Sequence, residues 1–216
     1  MNEAKSKYFA VNGNKLRALR LRRGLTQAEL AKQSGYSERL VRKAEMCGTL
    51  NVVTIRDLAT ALTINGDRVS LTDLTFDFIA TAKRILRSYD RYGLQVLDQC
   101  ADLLAPEFVL HCPSIRTSSR SQTDWQGVEG LQAFLTSFFG RFERVPDSLL
   151  VRYSIGENRV SARFDERLFC CGKAMVPMFV NLHFTFANCL VTCIDSEYDT
   201  LSMYRAMRRA RLLVRS

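Results

Sequence analysis

The chain has 216 residues, 47% hydrophobic and 25% charged, proportions that exclude disorder and fit one large or two small globular domains. No run of about 18 apolar residues occurs, and the opening MNEAKSKYFAVNGNK lacks the apolar stretch of a signal peptide, so a cytoplasmic protein without a membrane partner is expected. The net charge of +9 is uneven: residues 1–70 carry 13 Lys or Arg against 6 Asp or Glu, residues 71–203 carry 13 against 16, and the last 13 carry five arginines and no acid. A polyanion is therefore expected to meet the N-terminal third and the tail, with a merely solvated basic surface as the alternative.

From Asn12 to Leu62 the pattern is helical. Leu16 and Leu19 share one face, and Gly24 can close the first helix in a left-handed cap. Thr26 and Glu29 have capping-box spacing at the start of a second helix, which buries Leu30 and Ala31. Gly35 punctuates, a third helix runs from about Ser37 to Glu45 with Val41 and Ala44 inward, and a fourth is expected from Thr54, capped with Asp57 and burying Ile55, Leu58, Ala59 and Leu62. In QAELAKQSGYSERLVRKAE, small residues and a glycine stand where two helices crossing at a tight turn need them.

With the preceding Arg20, Gly24, Leu25, Thr26 and Gln27, this interval resembles the Cro-like phage repressor (xenobiotic-response-element) family of helix-turn-helix proteins over about residues 12–64. The resemblance implies that the helix from Ser37 lies in the major groove of double-stranded DNA. Ser37, Glu38, Arg39 and Lys43 would then face base edges, Gln27 would hold a phosphate, and Arg20 with Glu45 would form a structural salt bridge. Elementary chemistry agrees: Arg39 can pair bidentately with guanine, Glu38 can accept from a cytosine amine, and Arg42 suits a phosphate. One departure is visible, because Met46 and Cys47 lengthen by one residue the loop before Gly48. A helical dimerisation module without DNA binding is the alternative.

TINGDRVSLTD reads as a linker over 65–72, with Asn65 and Gly66 marking the helix end. A second domain is expected over 73–203. Phe76, Ile79, Ala80, Ile85, Leu86 and Tyr89 support a long helix, Leu94–Leu104 a second broken at Ala105 and Pro106, and Gly127–Phe142 a third with Leu131, Phe134, Leu135, Phe138 and Phe139 on a wide apolar face. FVLHC and four later segments, LLVRYSI, RVSARFDERLFCC, VPMFVNLHFTFA and CLVTCIDSEYD, alternate with period two. The predicted fold class is an all-α helix-turn-helix domain followed by an α+β cone of three helices on a curved antiparallel sheet.

The order of these elements, with LAPEFVLHCP, WQGVEGLQAF and CIDSEYD, resembles the SnoaL-like polyketide cyclase branch of the nuclear transport factor 2-like superfamily over about residues 73–200. That resemblance implies an apolar pocket and a homodimer. Its enzymes place an acid before the proline of the first strand turn or on a central strand. Here those positions hold Cys112 and an apolar face of Val180, Leu182, Phe184 and Phe186. The expected pocket residues are His111, Phe164, Glu166, Leu182, Phe184 and Phe186. Glu166 shares a strand face with Ala162, Phe164 and Leu168; buried, it would have a raised pKa and could act as a base, but the favoured reading is a hydrated residue where the strand leaves the core. His111 reads as a hydrogen-bonded edge residue or a ligand contact, and Asp195 as part of a solvated face.

Seven cysteines, Cys47, Cys100, Cys112, Cys170, Cys171, Cys189 and Cys193, lack the spacing of a disulfide framework or zinc knuckle, so most are expected to be reduced packing residues. Two histidines exclude an imidazole-rich metal site, and neither metal nor cofactor is expected. Residues 204–216 form a basic tail, expected as a helix with Met207, Leu212 and Leu213 inward. The sequence thus points to a DNA-binding transcription regulator, not an enzyme, whose cone senses an apolar small molecule or dimerises. The alternative is a cone-type cyclase or isomerase fused to a DNA-binding module.

Overall fold

The computed structural model describes residues 8–64, 67–113, 123–156, 159–201, 203–205 and 208. Asn65, Gly66, Met207, Leu212 and Leu213 lie outside them. The chain divides into two compact units: 1–77 with Ala187–Cys189, and Phe78–Phe186 with 190–216.

The N-terminal unit opens with strand β1 (Tyr8–Ala10), then helices α1 (Gly13–Arg22), α2 (Gln27–Ser34) and α3 (Glu38–Glu45). The Thr26 hydroxyl accepts from the Glu29 amide while the Glu29 carboxylate accepts from the Thr26 amide at 2.7 Å, so two otherwise orphan donors at the start of α2 are satisfied. Gly35 ends α2 at φ 76°, a left-handed conformation that costs glycine nothing, and Ser37 then caps α3 through its hydroxyl. The extra loop residue after α3 is accommodated by Cys47 at φ 56°, beside which the Gly48 amide reaches back to the Lys43 carbonyl at 3.0 Å.

Strand β2 (Thr49–Asn51) pairs antiparallel with β1, a ribbon too short for periodicity to announce. Helix α4 (Val52–Leu62) starts two residues earlier than expected. Asn51 caps it from an extended backbone, whereas Asp57 accepts from the Tyr36 hydroxyl at 2.7 Å and caps nothing.

The expected linker belongs to this unit. Ser70 caps helix α5 (Leu71–Leu74), and Val69 and Leu74 are buried with Val11, Leu16, Leu30, Val41, Ile55, Leu58 and Leu62. The apolar residues there, Val69, Leu71 and Leu74, are too few and too irregularly spaced among polar neighbours for periodicity to announce them. Cys47 is also disulfide-bonded to Cys189, with Cα atoms 5.9 Å apart, a pairing the sequence did not announce; Cys100, Cys112, Cys170, Cys171 and Cys193 are free, as expected for most of the seven.

The C-terminal unit begins with helix α6 (Phe78–Tyr92), which leaves Phe76 outside. The expected helix Leu94–Leu104 is instead a 3-10 turn, the four-residue helix α7 (Leu97–Cys100) and another 3-10 turn. Strand β3 (Leu104–His111) follows and contains Pro106. Then come β4 (Asp124–Gln126), helix α8 (Gly127–Phe139), β5 (Glu143–Arg144), β6 (Arg152–Ile155), β7 (Arg159–Glu166), β8 (Leu168–Cys170), β9 (Lys173–Ala174), β10 (Met178–Ala187) and β11 (Leu190–Tyr198). The main sheet has the order β4-β3-β11-β10-β7-β6, antiparallel at β7 with β10, and parallel only at β3 with β11 among the described pairs. RVSARFDERLFCC splits at Arg167: β7 stays in this sheet and β8 enters a second one, β5-β8-β9. One sheet face, with Phe108, Val160, Ala162, Phe164 and Phe184, is buried within the unit.

Candidate nucleic-acid interface and cone cavity

Helix α3 buries Val41 and Ala44 and leaves Glu38, Arg39, Arg42 and Lys43 exposed, with Ser37 exposed at its cap. The expected reading residues therefore share one open face. Glu38 and Arg42 form an i,i+4 ion pair at 3.0 Å, which leaves Arg39 and Lys43 as the cations of this face without an ion pair among the described residues.

Behind that face Arg20 and Glu45 join α1 to α3. Arg20 Nε donates to Glu45 Oε1 at 2.5 Å and Nη2 to Oε2 at 3.1 Å, with side chains only 7% and 6% exposed. Arg20 Nη1 also donates to the Leu25 carbonyl at 2.7 Å. Burial pushes the Glu45 carboxyl up, but bonds from Arg20 and Gln27 outweigh it and hold the group below its ordinary pKa. Gln27 Nε2 donates to Glu45 Oε2 at 2.7 Å, so the amide expected to hold a phosphate is engaged inside the protein. Its place beside α3 explains this: the first turn of α2 lies against the end of α3.

Within the C-terminal unit, α6, α7, α8 and the buried sheet face enclose a cavity of about 390 Å³, in the range of small-molecule sites. Phe164, Glu166, Leu182 and Phe184 line it. Phe186 does not: it is buried with its ring 5.0 Å from that of Phe78. His111 does not either, because odd-numbered β3 residues point to the other face. Its side chain is exposed and its Nδ1 lies 2.8 Å from Asp124 Oδ1.

Glu166 corrects the hydrated reading, since it is 2% exposed. Its Oε1 accepts from Arg144 Nε at 3.0 Å and its Oε2 from the Tyr89 hydroxyl at 3.3 Å; Arg144 also binds Asp90 at 2.8 Å and stacks over the Tyr89 ring at 4.7 Å. Burial raises the Glu166 pKa more than Arg144 lowers it. Asp90 in turn accepts from the Ser148 and Leu149 amides. Nothing in the local sequence flags Arg144, Tyr89 and Asp90, which come from two separate places in the chain, β5 and the last turns of α6. A second polar edge of the cavity holds Cys112, whose thiol burial pushes up to about 11, with Ser196 and Tyr198, which donates to the Pro113 carbonyl.

Residues 13–70 match a family model described as a helix-turn-helix domain, so the chain carries a helix-turn-helix domain with α2 and α3 as its two helices. The remainder has the nuclear transport factor 2-like cone fold. It is similar to an NTF2-like protein of unknown function from Burkholderia pseudomallei K96243, with 16% identity, 59% of this chain and 96% of that chain covered, and a TM-score of 0.50. A Bacillus subtilis protein proposed to be an isomerase matches at 14% identity, over 61% of this chain and 96% of that one, with a TM-score of 0.50. A Shewanella denitrificans OS-217 protein proposed to be a SnoaL-like polyketide cyclase matches at 12% identity, over 61% and 96%, with a TM-score of 0.47. No curated protein matches the sequence. Among the described residues no helix is long and apolar enough to cross a membrane.

Proposed function

We propose that this protein is a sequence-specific transcription regulator whose cone binds an apolar small molecule and supports a homodimer. The observation that carries the reading is the exposed Ser37, Glu38, Arg39, Arg42 and Lys43 surface of α3 in a helix-turn-helix domain whose two helices are rigidly capped. Arg39 reads guanine, Ser37, Glu38 and Lys43 face neighbouring base edges, and Arg42 grips a phosphate while paired to Glu38. Gln27 acts on the phosphate side through its orientation against Glu45. A symmetric dimer sets two reading helices about 34 Å apart on successive major grooves, so the site is an approximate palindrome.

The cavity supports ligand binding because it combines an apolar lining with few polar groups. It gives less support to catalysis. Glu166 is a buried carboxylate of the cavity, and Arg144 and the Tyr89 hydroxyl engage both of its oxygens within the protein, which holds it away from the role of a substrate base. For regulation the ligand must bind one conformation better than another.

The test is selection of a preferred site from random DNA with the full chain, followed by titration of Arg39→Ala. Loss of roughly 1–3 kcal/mol, confined to the preferred site, is expected for a base reader. Equal loss on preferred and random DNA overturns Arg39's role. Turnover of a trapped ligand with no effect on DNA binding overturns the regulator reading in favour of an enzyme.

A further inference from the structure

We infer that the outer face of the cone's sheet carries a divalent transition-metal site made by His111, Cys193 and Asp195, suited to zinc. The cavity lies on the opposite sheet face, so this site is separate from it. Strand register makes the cluster: on β3, His111 stands directly across from Asp195 of β11 on one side and from Asp124 of β4 on the other. Cys193 precedes Asp195 by two residues and so shares its face of the strand. The donor atoms of His111, Cys193 and Asp195 all lie within 4.8 Å of one another. With bonds of about 2.0–2.3 Å to nitrogen, sulfur and oxygen, one zinc-sized ion reaches all three after small side-chain rotations.

The arrangement around the three ligands fits the same chemistry. Asp124 Oδ1 lies 2.8 Å from His111 Nδ1, a pairing that favours the tautomer with the proton on Nδ1 and the Nε2 lone pair open to a metal, as in the carboxylate–histidine pairs that orient metal-binding imidazoles. Asp195 divides its oxygens: Oδ1 is 3.6 Å from the Cys193 sulfur, and Oδ2 faces Arg159 at 3.6 Å, an interaction that anchors the carboxylate from the far side. Two carboxylates around an imidazole and a thiol give a site of net negative charge. That charge favours a cation and works against a free thiolate nucleophile. A thiol with an imidazole selects a borderline metal such as Zn²⁺ over Mg²⁺ or Ca²⁺, which take oxygen ligands alone. Binding forms the sulfur–metal bond and releases the thiol proton to solvent. Three protein ligands leave one tetrahedral position open.

The experiment titrates chelator-treated full-length protein, handled without oxygen, with Co²⁺ and then Zn²⁺. One equivalent of Co²⁺ should give a thiolate-to-cobalt charge-transfer band in the near ultraviolet and tetrahedral visible bands, which Zn²⁺ abolishes. Cys193→Ala should remove the charge-transfer band, and His111→Ala, at an exposed position where folding is preserved, should weaken Co²⁺ binding at least tenfold. Asp124→Asn keeps all three ligands and should cost about tenfold. Cys171→Ser, at an exposed cysteine elsewhere, should change nothing. Absence of the band in the wild type, or an unchanged band and affinity in both Cys193→Ala and His111→Ala, overturns the site.

Discussion

Two buried ion pairs make opposite demands at the level of single residues. Arg20 and Glu45 are linked by two bonds with a third from Gln27, and the Glu45 pKa is depressed; Glu166 has one bond from Arg144 and a weak one from Tyr89, and its pKa is raised. Glu45→Ala strands the Arg20 guanidinium and should cost roughly 3–5 kcal/mol, read as a lower urea midpoint. A depressed carboxyl stabilises the fold above its unfolded pKa and loses that contribution as pH falls through the folded value, so the gap between wild type and Glu45→Ala should shrink in acid. An unchanged midpoint with altered base preference would make Glu45 a reader instead. For Glu166 the sign reverses. Its raised pKa gives a contribution that is whole below the unfolded value of about 4.3 and is lost as pH rises through the folded one. Relative to Glu166→Gln, which cannot ionise, the wild type should lose stability from about pH 4.5 upward. Melting both proteins from pH 4 to 8 tests this, and a difference independent of pH refutes it.

Among the elements, α3 carries the DNA-reading proposal, and its placement depends on glycines with different duties. At Gly35 the backbone is left-handed at φ 76°, yet a Cβ there would meet nothing within 4 Å. Gly35→Ala should therefore cost only the conformational term, about 1 kcal/mol, and Gly35→Asn less, because asparagine tolerates that region. At Gly13 the conformation is ordinary, but a Cβ would lie 2.3 Å from the Glu45 carbonyl oxygen and 2.7 Å from that of Ala44. Gly13→Ala must push α1 away from the end of α3, so it should cost more than Gly35→Ala and also weaken DNA binding. Urea denaturation of the three variants checks the order; Gly13→Ala at or below the cost of Gly35→Ala would show that the α1–α3 approach is soft.

For the whole molecule, charge and covalent topology matter most. The surplus of basic residues lies in residues 1–70 and in the tail, and the helix-turn-helix domain accounts for most of the former. The disulfide between Cys47 and Cys189 spans 142 residues. Closing a loop of that order restricts the unfolded chain and stabilises the fold by up to about 5 kcal/mol. Dithiothreitol should therefore lower the melting midpoint of the wild type and leave Cys47→Ser, already lowered, unmoved. Equal midpoints with and without reductant in the wild type would show that the bond does not form in solution.

The sequence determined what rests on local chemistry. The capping box at Thr26 and Glu29, the left-handed Gly35, the exposed face of α3 and the even-numbered inward face of β10 follow from spacing within a few residues, because a helix or strand repeats on that scale. The Arg20–Glu45 pair, joined across 25 residues, was implied by the helix-turn-helix resemblance and not by local spacing. Tertiary structure decided what depends on distant partners. Asp57 gave up a cap for the Tyr36 hydroxyl, and residues 67–74 joined the helical core through Val69 and Leu74. Glu166 became buried because Arg144, Tyr89 and Asp90 arrive from other elements to satisfy it. His111 left the cavity for the outer sheet face, where register alone sets it between Asp124 and Asp195. Periodicity assigns a residue to a face; only the folded chain decides what that face meets, because burial of a polar group is tolerable only where partners from elsewhere are in place.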